Sequence, residues 1–130
     1  MVVALALVAA GSAPALARGG PGRGGGGDRV EVRAAGTCGT GAASSLRLRS
    51  RDGTIQSEFE VHGRARPSNW RVTIVHERHV AWRGTRRTGG ARRSFSLEYG
   101  LPDYSGADLV MVRAIGPRGV VCSASATLPG

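Results

Sequence analysis

Two histidines, His76 and His79, stand three residues apart in the stretch IVHERHVAW, residues 74–82. Imidazole is the side chain best suited to metal ligation or to proton transfer near neutral pH. The spacing differs from the His-Glu-x-x-His arrangement that places two ligands on one helical turn, and the flanking residues alternate as strands do. Two hairpins can be drawn. With Glu77, Arg78 and His79 as a three-residue loop, His76 faces Val80 and Ile74 faces Trp82, so that Trp70, Val72 and Ile74 form one apolar face continuous with Val80 and Trp82. With Glu77 and Arg78 alone turning the chain, His76 faces His79 and Trp82 falls opposite Thr73. The first register buries more apolar surface and separates the imidazoles. Even in the second, two imidazoles fall short of the three or four protein ligands usual at zinc. The stretch therefore predicts a hairpin tip with solvent-facing histidines and no metal.

Catalysis has little else to draw on. No Gly-x-Ser-x-Gly elbow occurs, and Glu58 and Glu60 lie on one strand face beside arginines, without the apolar surroundings that raise a general acid's pKa. The sequence thus predicts a protein that is not an enzyme and needs no cofactor, with an unrecognised hydrolase as the last alternative. Charge offers more. In RGTRRTGGARR, residues 83–93, Arg83, Arg86, Arg87, Arg92 and Arg93 surround a Gly89-Gly90 turn with no acid among them. Guanidinium pairs with phosphate oxygens through parallel N–H donors, so an arginine hairpin here is the predicted anion-binding site, with an anionic cell-envelope polymer as its ligand. An envelope protein docking on loops or a sheet edge is the alternative partner, for which Leu101 and Tyr104 of LPDYSG are candidates. Nucleic acid is not expected, because the chain has only six Trp, Tyr and Phe and at least four of them fall at core positions, leaving few stacking platforms.

The whole chain carries a formal charge of +9, from 18 basic and 9 acidic residues, and every basic residue is Arg. A GC-rich genome also produces this Arg, Gly and Ala bias, which weakens the step from basicity to a ligand. Residues 1–17, MVVALALVAAGSAPALA, have an apolar run from Val2 to Ala10 and end in Ala-Leu-Ala, the small-x-small pattern of a signal-peptide cleavage site. No Lys or Arg precedes the run. It falls well short of the roughly 20 residues a spanning helix needs, so a secreted protein with no membrane span is expected. Residues 18–29, RGGPGRGGGGDR, read as a flexible Gly/Arg-rich linker. That leaves residues 30–130 as one small domain.

Two cysteines, Cys38 and Cys122, lie near the ends of that domain. In an oxidising compartment such a pair forms a structural disulfide. Between them short alternating segments are punctuated by turns. In SSLRLRSRDGTIQSEFEVH the dipeptide Asp52-Gly53 suits a type I′ turn, which pairs Leu46 with Phe59, Leu48 with Ser57 and Ser44 with Val61 on an inner face. Arg47 then meets Glu58, and Arg49 meets Gln56, on the outer one. A strand follows in SFSLEY, and a third hairpin turns at Gly116-Pro117-Arg118-Gly119. Leu109 to Val112 is apolar on both faces, as in a central strand. About eight short strands without helical periodicity predict an all-β, antiparallel β-sandwich.

Leu101-Pro102, followed by Asp108-Leu-Val-Met-Val-Arg-Ala-Ile-Gly-Pro-Arg-Gly, resembles the closing portion of a fibronectin type III or other immunoglobulin-like domain. The likeness covers about thirty residues. It lacks the usual early-strand tryptophan, and the tyrosine expected before the Val-x-Val-Arg-Ala run is replaced around Leu109. The chain as a whole is similar to small exported proteins of unknown function from high-GC Gram-positive bacteria. These resemblances imply an immunoglobulin-like sandwich outside the cytosol, and they supply no catalytic residues.

Overall fold

The computed structural model describes residues 30–39, 41–63, 66–89 and 93–130. The predicted signal peptide (1–17), the predicted linker (18–29) and Arg92 lie outside the described residues. Nine strands follow in order: β1 Glu31–Ala35, β2 Thr37–Cys38, β3 Ala42–Arg51, β4 Thr54–Gly63, β5 Asn69–His76, β6 His79–Arg87, β7 Ser94–Pro102, β8 Asp108–Ile115 and β9 Val121–Leu128. They form two antiparallel sheets, one ordered β1-β3-β4-β7 and the other β2-β9-β8-β5-β6. The domain is all-β, with the layered organisation of a β-sandwich.

One more strand is present than the sequence predicts, because the first extended segment changes sheets midway. Gly36 is the point of change. A Cβ there would lie 2.1 Å from Ser44 Oγ and 2.6 Å from the Ser123 carbonyl oxygen. Only a residue without a side chain lets the chain pass from β1, beside β3, to β2, beside β9. Two residues later Cys38 stands directly opposite Cys122 on β9, and the two form a disulfide. The bridge ties the entry of the domain to its last strand, as the cysteine positions predict.

The β3–β4 hairpin has the predicted register throughout, including the Leu46–Phe59 and Arg47–Glu58 pairs. Its turn residues Asp52 and Gly53 have φ of 51° and 78°, as a type I′ turn demands. Alternation then sends Leu46, Leu48, Ile55, Phe59 and Val61 inward, where they meet Trp70, Val72, Ile74, Val110, Val112 and Leu128 of the other sheet. Phe95 packs between the layers at 6.2 Å from Phe59 and 6.3 Å from Trp70, ring centroid to ring centroid. Leu101 is also buried in this core, so it cannot serve as a docking residue.

The β5–β6 hairpin combines the two drawn registers. Its tip is the two-residue turn, with Glu77 and Arg78 at φ of 51° and 70° and His76 opposite His79. Val75 then faces Val80, and Ala81 is an extra residue that restores Ile74 to Trp82. A β-bulge of this kind shifts the side-chain alternation by one residue. Val80 consequently lies outside, 49% exposed, rather than continuing the core face.

Candidate functional site

The arginine segment does not make the expected hairpin. β6 belongs to the five-stranded sheet and β7 to the four-stranded one, so the chain changes layers between Arg87 and Ser94, where Gly89 and Ser94 form a bridge. The segment's arginines diverge accordingly. Arg86 lies on the inward side of β6, with its guanidinium over the Trp82 ring, 4.9 Å from the centroid. Arg87 donates to Asn69 Oδ1 at 3.4 Å. Arg93 has φ of 51°.

Arg83 goes elsewhere, and there it has company. On the outer face of the five-stranded sheet the register sets out three rows. Val80, Val75, Met111 and Ser125 form the row nearest the β5–β6 turn. Arg83, Thr73, Arg113 and Ser123 form the next, and Thr85, Arg71 and Ile115 the third. The sheet curves around a trough of about 920 Å³ lined by these residues together with Ala35 and Thr37. No Asp or Glu lines it. Arg71, Arg83 and Arg113 are all exposed, and none of the three has an ion-pair partner among the described residues.

The four-stranded sheet treats its arginines differently. Arg47 pairs with Glu58 and lies 3.6 Å from Glu31, while Arg33 lies 3.3 Å from the same Glu31. There Arg33 and Arg47 are neutralised by acids of the same sheet, while Arg49 stands opposite Gln56. The trough thus has the only cluster of unpaired guanidiniums on a sheet face among the described residues. Sequence inspection found Arg83 but missed Arg71 and Arg113, which are isolated in the chain and meet only through strand pairing.

A second set of groups gathers where the β5–β6 turn meets the start of β8. His76 is buried, 4% exposed, contrary to the solvent-facing position expected of it. Because position 76 continues the inward series Val72, Ile74, its ring enters the interior, where Nε2 lies 2.8 Å from Oδ1 of Asp108. Asp108 is itself fully buried. The same Oδ1 accepts from the Tyr104 amide at 3.3 Å, and the Tyr104 ring stacks on the imidazole at 4.8 Å with a 9° interplanar angle. Glu77 completes the group, accepting from the Leu109 amide at 2.6 Å and donating its own amide to the Leu109 carbonyl at 3.1 Å. Asp103 lies close by. Loss of hydration, then hydrogen bonding to the Asp108 carboxylate and repulsion by it, push the Asp103 carboxyl above its usual range, with His76 opposing them. His79 remains exposed, as predicted.

Comparison with protein-family models, curated proteins and solved structures found no match to this chain. Among the described residues no helix is long and apolar enough to cross a membrane.

Proposed function

We propose that the chain is an exported, non-catalytic binding domain of the immunoglobulin-like, fibronectin type III kind, which holds an anionic cell-envelope polymer on the outer face of its five-stranded sheet. One observation carries the ligand class: Arg71, Arg83 and Arg113 share a trough without a carboxylate, whereas on the other sheet Arg33 and Arg47 are paired with Glu31 and Glu58 and Arg49 stands apart, opposite Gln56. Unpaired guanidiniums on one concave surface attract polyanions over a Debye length and grip phosphate or carboxylate oxygens at contact. The reading moves the predicted site from the 83–93 segment to a face that keeps Arg83 alone of the original five.

The leader pattern and the Cys38–Cys122 disulfide support export. The fold assignment draws on the strand arrangement. Two antiparallel sheets, β1-β3-β4-β7 and β2-β9-β8-β5-β6, between which the chain crosses repeatedly, support it, since immunoglobulin-like and fibronectin type III domains share such a two-layered architecture.

A protein partner is the second reading, favoured by the apolar row beside the arginines, where Val80 and Met111 are each 49% exposed. The two readings separate on salt. Retention of the full chain on an immobilised polyphosphate matrix should fall steeply between 50 and 200 mM salt on the order expected for several released counterions. It should also drop in Arg71→Gln/Arg83→Gln/Arg113→Gln and persist in Arg86→Gln/Arg87→Gln. No retention, or retention indifferent to the triple substitution, rejects the polyanion reading. A complex recovered from envelope extract that survives high salt favours a protein partner.

A further inference from the structure

We propose that His76, Glu77 and Asp108 hold a divalent transition-metal ion, zinc by preference, at the end of the sandwich where the β5–β6 turn abuts β8. One ligand atom from each residue lies within 4.8 Å of the other two. An independent observation points to a missing partner. Asp108 is fully buried, its Oδ1 accepts from the Tyr104 amide and lies within hydrogen-bond distance of His76, yet its Oδ2 has no hydrogen-bond partner. A buried carboxylate oxygen left without a donor is costly, and a cation bound beside it removes that cost.

The chemistry of the donors selects the ion. One imidazole nitrogen with two carboxylates is a zinc-type set, whereas calcium takes oxygen ligands throughout. Two atoms bound to one zinc are about 3.3 to 4.4 Å apart, so the widest separation in the triad has to shrink by up to about 1.5 Å. His76 Nε2 and Asp108 Oδ1, now 2.8 Å apart, have to separate by about 0.5 Å, or Asp108 has to ligate through Oδ2. Rotation of the half-buried Glu77 side chain supplies the contraction. The imidazole is already oriented by Tyr104 stacked on it, and the turn is tied to β8 by both hydrogen bonds between Glu77 and Leu109. On binding, the ion takes the place of the hydrogen between Nε2 and Asp108 and the ring ligates as neutral imidazole: a neutral ring moves its hydrogen to Nδ1, and an imidazolium, which already carries one there, releases the Nε2 proton to solvent. Three protein ligands leave one coordination position for water.

The test uses the full chain stripped with EDTA and dialysed against zinc chloride. Elemental analysis should find one zinc per chain, with a rise of several degrees in the unfolding midpoint that EDTA reverses. Glu77→Gln preserves an acceptor for the Leu109 amide, so its metal-free midpoint should match that of the parent while its zinc affinity falls at least about tenfold. Asp108→Asn should abolish uptake; should that variant fail to fold, Glu77→Gln alone decides. His79→Gln should bind as the parent does. Absence of stoichiometric zinc in the parent, parental affinity in Glu77→Gln, or loss of binding in His79→Gln would each overturn the proposal.

Discussion

The Tyr99 hydroxyl donates to the backbone carbonyl of Ala81 at 3.2 Å, joining the edge strand of one sheet to the bulge in the edge strand of the other. Ala81 is the residue that the β5–β6 ladder leaves over, and its carbonyl finds this partner outside the ladder. Tyr99 also lies 6.3 Å from Trp82, centroid to centroid. Tyr99→Phe keeps the ring and removes the donor. It should cost about 1 kcal/mol, lowering the unfolding midpoint by roughly 4 to 8 °C for a domain of this size, and it should change the fluorescence of Trp82. An unchanged midpoint and spectrum would mean that the bulge is held by its own strand alone.

The outer trough predicts a graded salt response. Each guanidinium that contacts a polyanion releases counterions, so removing one lowers the slope of log affinity against log salt by about one unit on the polyelectrolyte model. Arg71→Gln, Arg83→Gln and Arg113→Gln should each reduce the slope, and together they should flatten it. Arg51→Gln is the control, since Arg51 lies 3.8 Å from Asp52 on the far hairpin. Binding of each variant to a soluble polyphosphate at four salt concentrations decides the matter.

Local pattern sufficed wherever turn chemistry and alternation agreed, and the β3–β4 hairpin is the case in point. Asp52-Gly53 fixes the turn, the turn fixes the register, and ten consecutive pairs follow. The β5–β6 hairpin was half legible, because the Glu77-Arg78 turn and the Ile74–Trp82 pair are both present but conflict unless Ala81 bulges. Glu and Arg are unusual at positive φ, and nothing local announces them. The arginine segment failed for another reason: whether consecutive strands stay in one sheet depends on tertiary packing. The sites lay further still from local reading. His76 and Asp108 are 32 residues apart, and Arg71 reaches Arg113 only because β5 pairs with β8.

The Cys38–Cys122 bridge spans 84 residues of sequence. Cross-linking a chain over such a loop removes conformational freedom from its unfolded state, worth roughly 4.5 kcal/mol on the chain-entropy model. For a domain whose total stability is expected near 5 to 15 kcal/mol, that is a decisive share. Cys38→Ser/Cys122→Ser should therefore unfold at far lower denaturant concentration, with the β2–β9 pairing losing hydrogen-exchange protection first, since β2 has only two residues. A midpoint within 1 kcal/mol of the parent, by urea titration, would assign the stability to the sandwich core instead.

The turn at the tip of β5–β6 carries a cost that one substitution removes. Arg78 has φ of 70°, in the left-handed region where a side chain costs about 1 kcal/mol or more and glycine costs little. Its side chain is exposed, and no hydrogen bond or ion pair holds it among the described residues. Arg78→Gly should raise stability by about 0.5 to 1 kcal/mol, the gain being limited by the greater freedom glycine gives the unfolded chain. Glu77 would retain its hydrogen bonds to Leu109, so zinc uptake and polyphosphate binding should remain at parental levels. A fall in the unfolding midpoint would show that Arg78 makes a stabilising contact that outweighs its backbone conformation.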